Sequence, residues 1–400
     1  MAITDKEEGV WDVDQVYNKI MEGDIWDYTL KYDMWSWGYQ NYSGQIGNNS
    51  TQNRSSPIQI PSTPSWKTII QSYSSQRIAT KDDGTIWTWG ANSYGKEGTN
   101  TTLTHSSPTQ IGAGTDWSTS ESAHGIGNHH ALIVKTDGTM WGMGRNNYGQ
   151  LGLGARANGG NNSAYSSPTQ VLGSDWVAAS GSYNASLGLK SDGTIWAWGS
   201  NSYGKLGIGQ PSDNENRSSP VQIGSDSDWT KINGNGNFMA LRSPGAMYTW
   251  GFNREGQLGN NQQASGAPFG KKPSPVHIMD DVSDISFGRE QAYSVKTNGT
   301  MWSWGHNSWG ELGLNDRTFR SSPTQIPGTT WTQVASGRDT CFARKSDGSV
   351  WSWGRNSSGA AAQNSASPPG TFSSPTQIGT ETDWTAIEGA SSGGYGLRNS

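Results

Sequence analysis

A single cysteine, Cys341, in 400 residues excludes an intrachain disulfide framework and a multi-cysteine zinc site. Charge is scarce at 15% of residues, and the 32% that are hydrophobic never form the run of about 18 that a membrane helix needs. The opening MAITDKEEGV lacks the basic and apolar regions of a secretory signal, so cytoplasmic synthesis without cleavage is expected. There is no basic excess either, with 28 basic against 33 acidic side chains. Non-specific nucleic-acid binding, which needs a basic footprint, is therefore not expected. What abounds is glycine, with 54 residues, and tryptophan, with 21. Aromatic groups drive collapse, so the chain reads as β-rich and loop-rich and not as a disordered polyelectrolyte.

The tryptophans are periodic. Trp-x-Trp-Gly occurs at 35–38, 87–90, 196–199, 302–305 and 351–354, with Met143 in the second aromatic place at 141–144 and Tyr248 in the first at 248–251. The seven starts lie 49 to 55 residues apart. Each unit continues with Asn-x-x-Gly-x-Leu-Gly or a variant, a polar loop of changing length, Ser-Ser-Pro-x-Gln-Ile, and a further Trp. The fifth unit departs, with Pro275-Val276-His277-Ile278 and Val282 standing in. Asp-Gly or Asn-Gly, as in Thr136-Asp137-Gly138, supplies the positive φ angles of a tight hairpin. Four short strands per unit follow, with Pro of Ser-Ser-Pro suited to an edge.

Four short strands cannot bury both faces of their own sheet, so units must stack. Radial stacking gives an all-β fold, a seven-bladed β-propeller with indoles packed between blades. The C-terminal unit stops before its Trp-x-Trp strand, and that strand is available at the other end as Met34-Trp35-Ser36-Trp37-Gly38. One blade is therefore expected to be completed by both termini, leaving one domain over 33–400 and no free edge.

Asp192-Gly193-Thr194-Ile195-Trp196-Ala197-Trp198-Gly199-Ser200-Asn201-Ser202-Tyr203-Gly204-Lys205-Leu206-Gly207 resembles the repeat signature of the regulator-of-chromosome-condensation family. The resemblance runs over about residues 33–398 and implies a seven-bladed propeller. The founding type of that family exchanges nucleotide on a small GTPase and docks on chromatin through a β-wedge and a basic tail. No such tail occurs here, and the long loops at 155–164, 260–272 and 357–371 are rich in Gly, Asn, Ser and Ala, so no exchange residue is carried over.

Residues 1–34 hold nine acidic side chains and three lysines, a charge of −6, against −5 for the whole chain. The remaining 366 residues are thus near neutral. Within the leader of residues 1–32, Val13, Val16, Tyr17, Ile20 and Met21 recur at helical spacing behind Trp11, which predicts a short amphipathic N-terminal helix. A helix of about ten residues is marginal alone in water, so it is expected to dock, on its own propeller or on a partner. The leader also resembles short openings of virion and tail proteins of marine bacteriophages.

No catalytic constellation emerges. Gly90-Ala91-Asn92-Ser93-Tyr94-Gly95-Lys96-Glu97 nearly spells a phosphate loop, but Glu97 replaces the hydroxyl residue and the phrase recurs as a repeat turn. His105, His124, His129, His130, His277 and His306 read as hydrogen-bonded loop residues and not as ligands. No cofactor or metal is expected. Trp309 shares a turn position with Tyr42, Tyr94, Tyr148 and Tyr203; these rings either pack between blades or form a recognition surface on one rim.

The expectation is a non-enzymatic structural or recognition propeller, in a phage virion. Its partners would be other virion or assembly proteins through the leader, a host-surface glycan or protein, or a second copy of itself. A secreted or cell-surface glycan-binding propeller and a small-GTPase exchange factor are the alternatives.

Overall fold

The computed structural model describes residues 31–39, 41–61, 65–71, 75–156, 164–209, 215–262, 270–363 and 370–399. The leader residues Trp11, Val13, Val16, Tyr17, Ile20 and Met21 lie outside them.

The described strands form seven four-stranded antiparallel sheets. Blade IV shows the plan. Trp176–Ser182, Ala185–Lys190, Ile195–Gly199 and Arg217–Gln222 follow one another from axis to rim. Blades II, III, V, VI and VII repeat it over residues 66–110, 117–170, 229–279, 282–325 and 331–377. Blade I joins the two ends of the chain: Trp384–Ala390 and Gly393–Asn399 lie innermost, then Tyr32–Gly38, then Arg54–Gln59. Tyr32–Gly38 pairs with Gly393–Asn399 over seven residue pairs. The ring closes as the repeat pattern requires.

The core is a ring of seams. Seven buried clusters each span two adjacent blades. At the IV–V seam, blade IV supplies Leu187, Ile195 and Leu206, and blade V supplies Trp229, Phe238 and Trp250. The alternation of Trp-x-Trp puts both indoles on one sheet face, against the Trp that opens the innermost strand. Ring centroids are 6.5 Å apart for Trp176–Trp196 and 5.7 Å for Trp176–Trp198. The second indole is buried, and in blades II, IV, V, VI and VII its Nε1–H donates across the seam to the preceding blade's turn, as in Trp198 to Gln150 O at 2.9 Å and Trp353 to Glu311 O at 2.7 Å; Trp37 of blade I does not make this bond. Met143 cannot make this bond. The carbonyl left over, Lys96 O, accepts from Gln76 Nε2 at 2.6 Å instead.

Blade III departs from the expected four regular strands. Trp117 pairs with Lys135 only as an isolated bridge, and the innermost strand resumes as the two residues Gly125–Ile126. Extra residues between them bulge toward the axis. His124 repairs the gap: its Nδ1 accepts from Val134 N at 3.1 Å and its Nε2 donates to Ser118 O at 2.8 Å. Burial holds His124 down to about 4.

Candidate recognition face

In an antiparallel meander, successive connections alternate between the two ends of the sheet. The Asp-Gly hairpins and the loops entering each blade therefore share one face, here termed the hairpin face. The long loops after Trp-Gly share the other, the loop face. Close approaches confirm the partition. A Cβ on Gly84 of the blade II hairpin would lie 2.1 Å from Thr115 O, in the loop entering blade III.

On the loop face, a buried Asn organises each turn. Asn92 Oδ1 accepts from Glu97 N at 2.9 Å, while Asn92 Nδ2 donates to Thr101 O and Leu103 O. Asn41, Asn146, Asn201, Asn253, Asn307 and Asn356 make the same first bond five residues on. The turn glycine then seats against the next blade. Gly95 has φ +70°, and a Cβ there would lie 2.5 Å from Ser166 Cβ of blade III, so the position admits only glycine.

This architecture sets where the five turn aromatics go. Tyr94 reaches across to blade III, edge-on to His129 at 5.2 Å and under the Arg145 guanidinium at 5.2 Å. Tyr148 lies 6.0 Å from that same guanidinium, and both Tyr94 and Tyr148 are half-buried. Tyr203 stacks on Phe252 of blade V at 4.7 Å, and Trp309 on Arg355 of blade VII at 4.7 Å. Tyr42 is 83% exposed, Tyr203 42% and Trp309 38%. All five lie on the loop face, one per blade on I, II, III, IV and VI, with Arg145 joining Tyr94 and Tyr148. Leu103, 71% exposed on the blade II loop, joins them; sequence reasoning missed it because it sits in the variable stretch outside the repeat.

Two turns conceal carboxylates that the repeat pattern disguises. Glu97 occupies the usual Leu place and Glu311 the usual Lys or Gln place, and both are fully buried. His105 Nδ1 bonds Glu97 Oε2, and His306 Nδ1 bonds Glu311 Oε1 at 2.5 Å. Glu311 Oε2 also accepts from Trp309 N at 2.6 Å, so this pair holds the exposed indole's turn. Burial raises Glu97 to about 7 against the pull of His105, and burial with the nearby Arg77 charge lowers Lys96 to about 7. Burial alone would lower His306, but bonding and charge from Glu311 raise it above its ordinary value.

His306, raised above 6.5, contributes stability that is full below pH ~6.5 and lost as pH rises through its folded value. His124 and His130 are held by burial to about 4 and about 3. Their contribution is present above pH ~6.5 and is lost as pH falls toward those values. Urea midpoints from pH 4 to 9 should show His306→Gln costing most on the acid side of neutrality, and wild type weakening steadily below pH ~6.5. A flat wild-type profile over that acid range would contradict the buried histidines.

Along the axis the seven innermost strands enclose a cavity of about 420 Å³. Their edges are stitched by side chains. Asn233 Oδ1 accepts from Phe287 N, Asp284 Oδ2 from Val334 N, and Gln333 Oε1 from Ile387 N. Lys231 Nζ donates to Asp284 Oδ1, and the charges of Asp284, Glu121 and Glu388 raise the lysine above its usual range against burial. Glu121 belongs to the blade III bulge. These polar groups serve chiefly to satisfy strand edges. Among the described residues no group of three His, Cys, Asp or Glu could hold a metal ion.

The two faces differ in charge. Each blade places one cation at the hairpin face against aromatic rings of its own sheet, from Lys81, 4.7 Å above Trp87, to Arg398, 4.9 Å above Trp35; in blade VI, where Val282 replaces one ring, Lys296 lies over Trp302 alone. Stacked on the rings, three of these cations also pair with aspartates of the same face: Lys135 with Asp116, Arg242 with Asp226 and Asp228, and Arg398 with Asp383. The hairpin aspartates, such as Asp83, Asp137, Asp192 and Asp347, stand at the surface, each accepting from the hydroxyl two residues on. On the loop face the described basic residues outnumber acidic ones by about two to one.

The Regulator of chromosome condensation (RCC1) repeat profile matches residues 137–189, 192–240, 244–294 and 298–344, and a second profile of the same repeat matches 122–150, 176–205 and 331–360. The chain is 25% identical over 305 residues to the Ultraviolet-B receptor UVR8 of Arabidopsis thaliana, covering 73% of this chain and 65% of the receptor. It thus spans somewhat under two thirds of that relative's length. Human WBSCR16 superposes with a TM-score of 0.77 at 17% identity, over 92% of this chain and 99% of that one. Prp20p of Saccharomyces cerevisiae, whose structure was described with its binding to Gsp1p and histones, superposes with a TM-score of 0.73 at 18% identity, over 92% and 91% of the two chains. At these identities the two superpositions establish the fold.

Proposed function

This chain belongs to the regulator of chromosome condensation repeat family, and from that premise we propose that it is a non-catalytic recognition propeller that binds proteins through its loop face. The observation that carries the reading is the division of labour within each repeat. Asn clamps and turn glycines are constant and seam indoles nearly so, whereas the long variable loops after Trp-Gly emerge on one face, where Tyr42, Leu103, Tyr203 and Trp309 are exposed. A rigid frame that projects variable loops to one side is suited to recognition. Exposed Tyr and Trp beside arginine are the side chains that anchor protein interfaces. Binding of Gsp1p and histones by Prp20p supports protein partners for this fold.

The immobilised chain is expected to retain a defined set of host proteins that is lost in the triple variant Tyr42→Ala, Tyr203→Ala, Trp309→Ala. The control Leu172→Ala, Val177→Ala, on exposed hairpin-face positions, should retain them. Equal retention by all three forms would reject the loop face.

An exchange-factor activity is the narrower alternative, supported by the family and tested by nucleotide release from a small GTPase. A glycan ligand would show as glycan-array binding lost in Trp309→Ala. A place in a phage virion is proposed on the leader alone, and tail or capsid genes beside this one would support it.

A further inference from the structure

We propose that the loop face is also the docking surface for the chain's own acidic leader, residues 1–30. That segment holds eight carboxylates and two lysines, a formal charge of −6. The two faces of the propeller offer it opposite surroundings. The described chain begins at Lys31, and Tyr32–Gly38 starts at the hairpin face, since its first residue pairs with Asn399 at the end of the preceding strand. There the carboxylates outnumber the cations, which stack on the indoles and in part pair with the surface aspartates Asp116, Asp226, Asp228 and Asp383. A segment of charge −6 is repelled by that surface and attracted to the basic one opposite.

Reach does not limit the contact. Seven strand residues span roughly 23 Å at about 3.3 Å per residue, whereas 30 residues can extend to roughly 100 Å. A tether of that kind keeps the segment at an effective concentration of order millimolar, so weak pairing suffices. The loop face supplies both kinds of contact the leader's composition calls for. Arg254, which pairs at 3.3 Å with Glu255, and Arg317, which donates to Thr371 Oγ1 at 2.6 Å, are exposed cations whose remaining N–H groups can meet its carboxylates. Tyr42, Tyr203 and Trp309 are exposed rings for its apolar residues Trp11, Val16 and Tyr17.

A docked leader covers the surface that recognises proteins, so a partner would have to displace it. That consequence rests on the recognition reading; the docking does not, and failure of the protein-retention experiment would leave it untouched.

The test uses the full chain. Because Cys341 is fully buried, a fluorophore can be placed on the leader through Gly9→Cys and its anisotropy followed between about 0.05 M and 0.5 M NaCl, a range over which screening rises steeply. High anisotropy at low salt should fall to that of a tethered, freely moving segment at high salt. The double variant Arg254→Glu, Arg317→Glu should already give the low value at low salt, while Lys67→Glu, an exposed change near the hairpin face, should behave as wild type. Salt-independent anisotropy, or release by Lys67→Glu and not by the loop-face pair, would overturn the proposal. The low-salt value should persist through a hundredfold dilution; a fall would place the leader on a second copy and overturn docking on its own propeller.

Discussion

Deletion of residues 383–400 is expected to abolish cooperative unfolding altogether. The cut removes the two innermost strands of blade I, with Trp384, Ile387, Tyr395 and Leu397 all buried. At about 1.5–3 kcal/mol for each large apolar side chain, the direct loss is roughly 6–12 kcal/mol, comparable to the whole stability of a typical domain. The damage also spreads. Tyr32–Gly38 loses its ladder partner, and the seams on both sides lose one wall, since Trp384 packs against Phe342 and Val350 of blade VII while Tyr395 packs against Trp66 and Trp89 of blade II. Circular dichroism with a urea titration decides the matter. A cooperative transition within about 1 kcal/mol of wild type would show that the ring tolerates opening.

A single substitution should test the seams nearly as sharply. Trp304→Ala is expected to cost roughly 3–5 kcal/mol, the usual range for a fully buried indole. Trp304 lies between blades V and VI with Met239, Leu241 and Phe287 around it. Its Nε1–H donates to Gln257 O at 3.0 Å, so truncation also strands a buried carbonyl. No neighbour can grow into the space from Gly259, whose missing Cβ would sit 2.7 Å from the Trp304 Nε1. Trp309→Ala, on the exposed turn, should stay within about 0.5 kcal/mol of wild type. Chemical denaturation of the two variants separates them, and equal losses would mean that the indoles do not share the work as their burial indicates.

Much of this framework was legible beforehand because it repeats. An indole required at the same place in nearly every unit is a packing residue, and the spacing of Trp-x-Trp-Gly counted the blades. Asp-Gly located the hairpins, and the orphaned strand at 34–38 announced how the ring would close. Where the repeat is broken, reading failed. Glu97 stands where leucine is usual, and nothing local says that His105, eight residues on, would meet it. His124 reads as one more hydrogen-bonded loop histidine, yet it fills a gap in a strand ladder that only the bulge of blade III creates. Counted from Trp-Gly, Tyr42 and Tyr94 share one position, but the Asn clamp sets the register in the fold: Tyr42 follows Asn41 by one residue and takes the exposed place of Ser93, whereas Tyr94 follows Asn92 by two and lies against His129.

Charge marks the boundary most clearly. The sequence alone determined that the body of the chain is nearly neutral and that its start is acidic. Whether a given Lys or Asp faces outward, and on which side of the ring, depends on which end of a strand it occupies and on whether an indole lies beneath it. Those are relations between residues from different strands and blades. Closure of the ring sorted a neutral composition into an acidic face and a basic one, because antiparallel strands return every second connection to the same side.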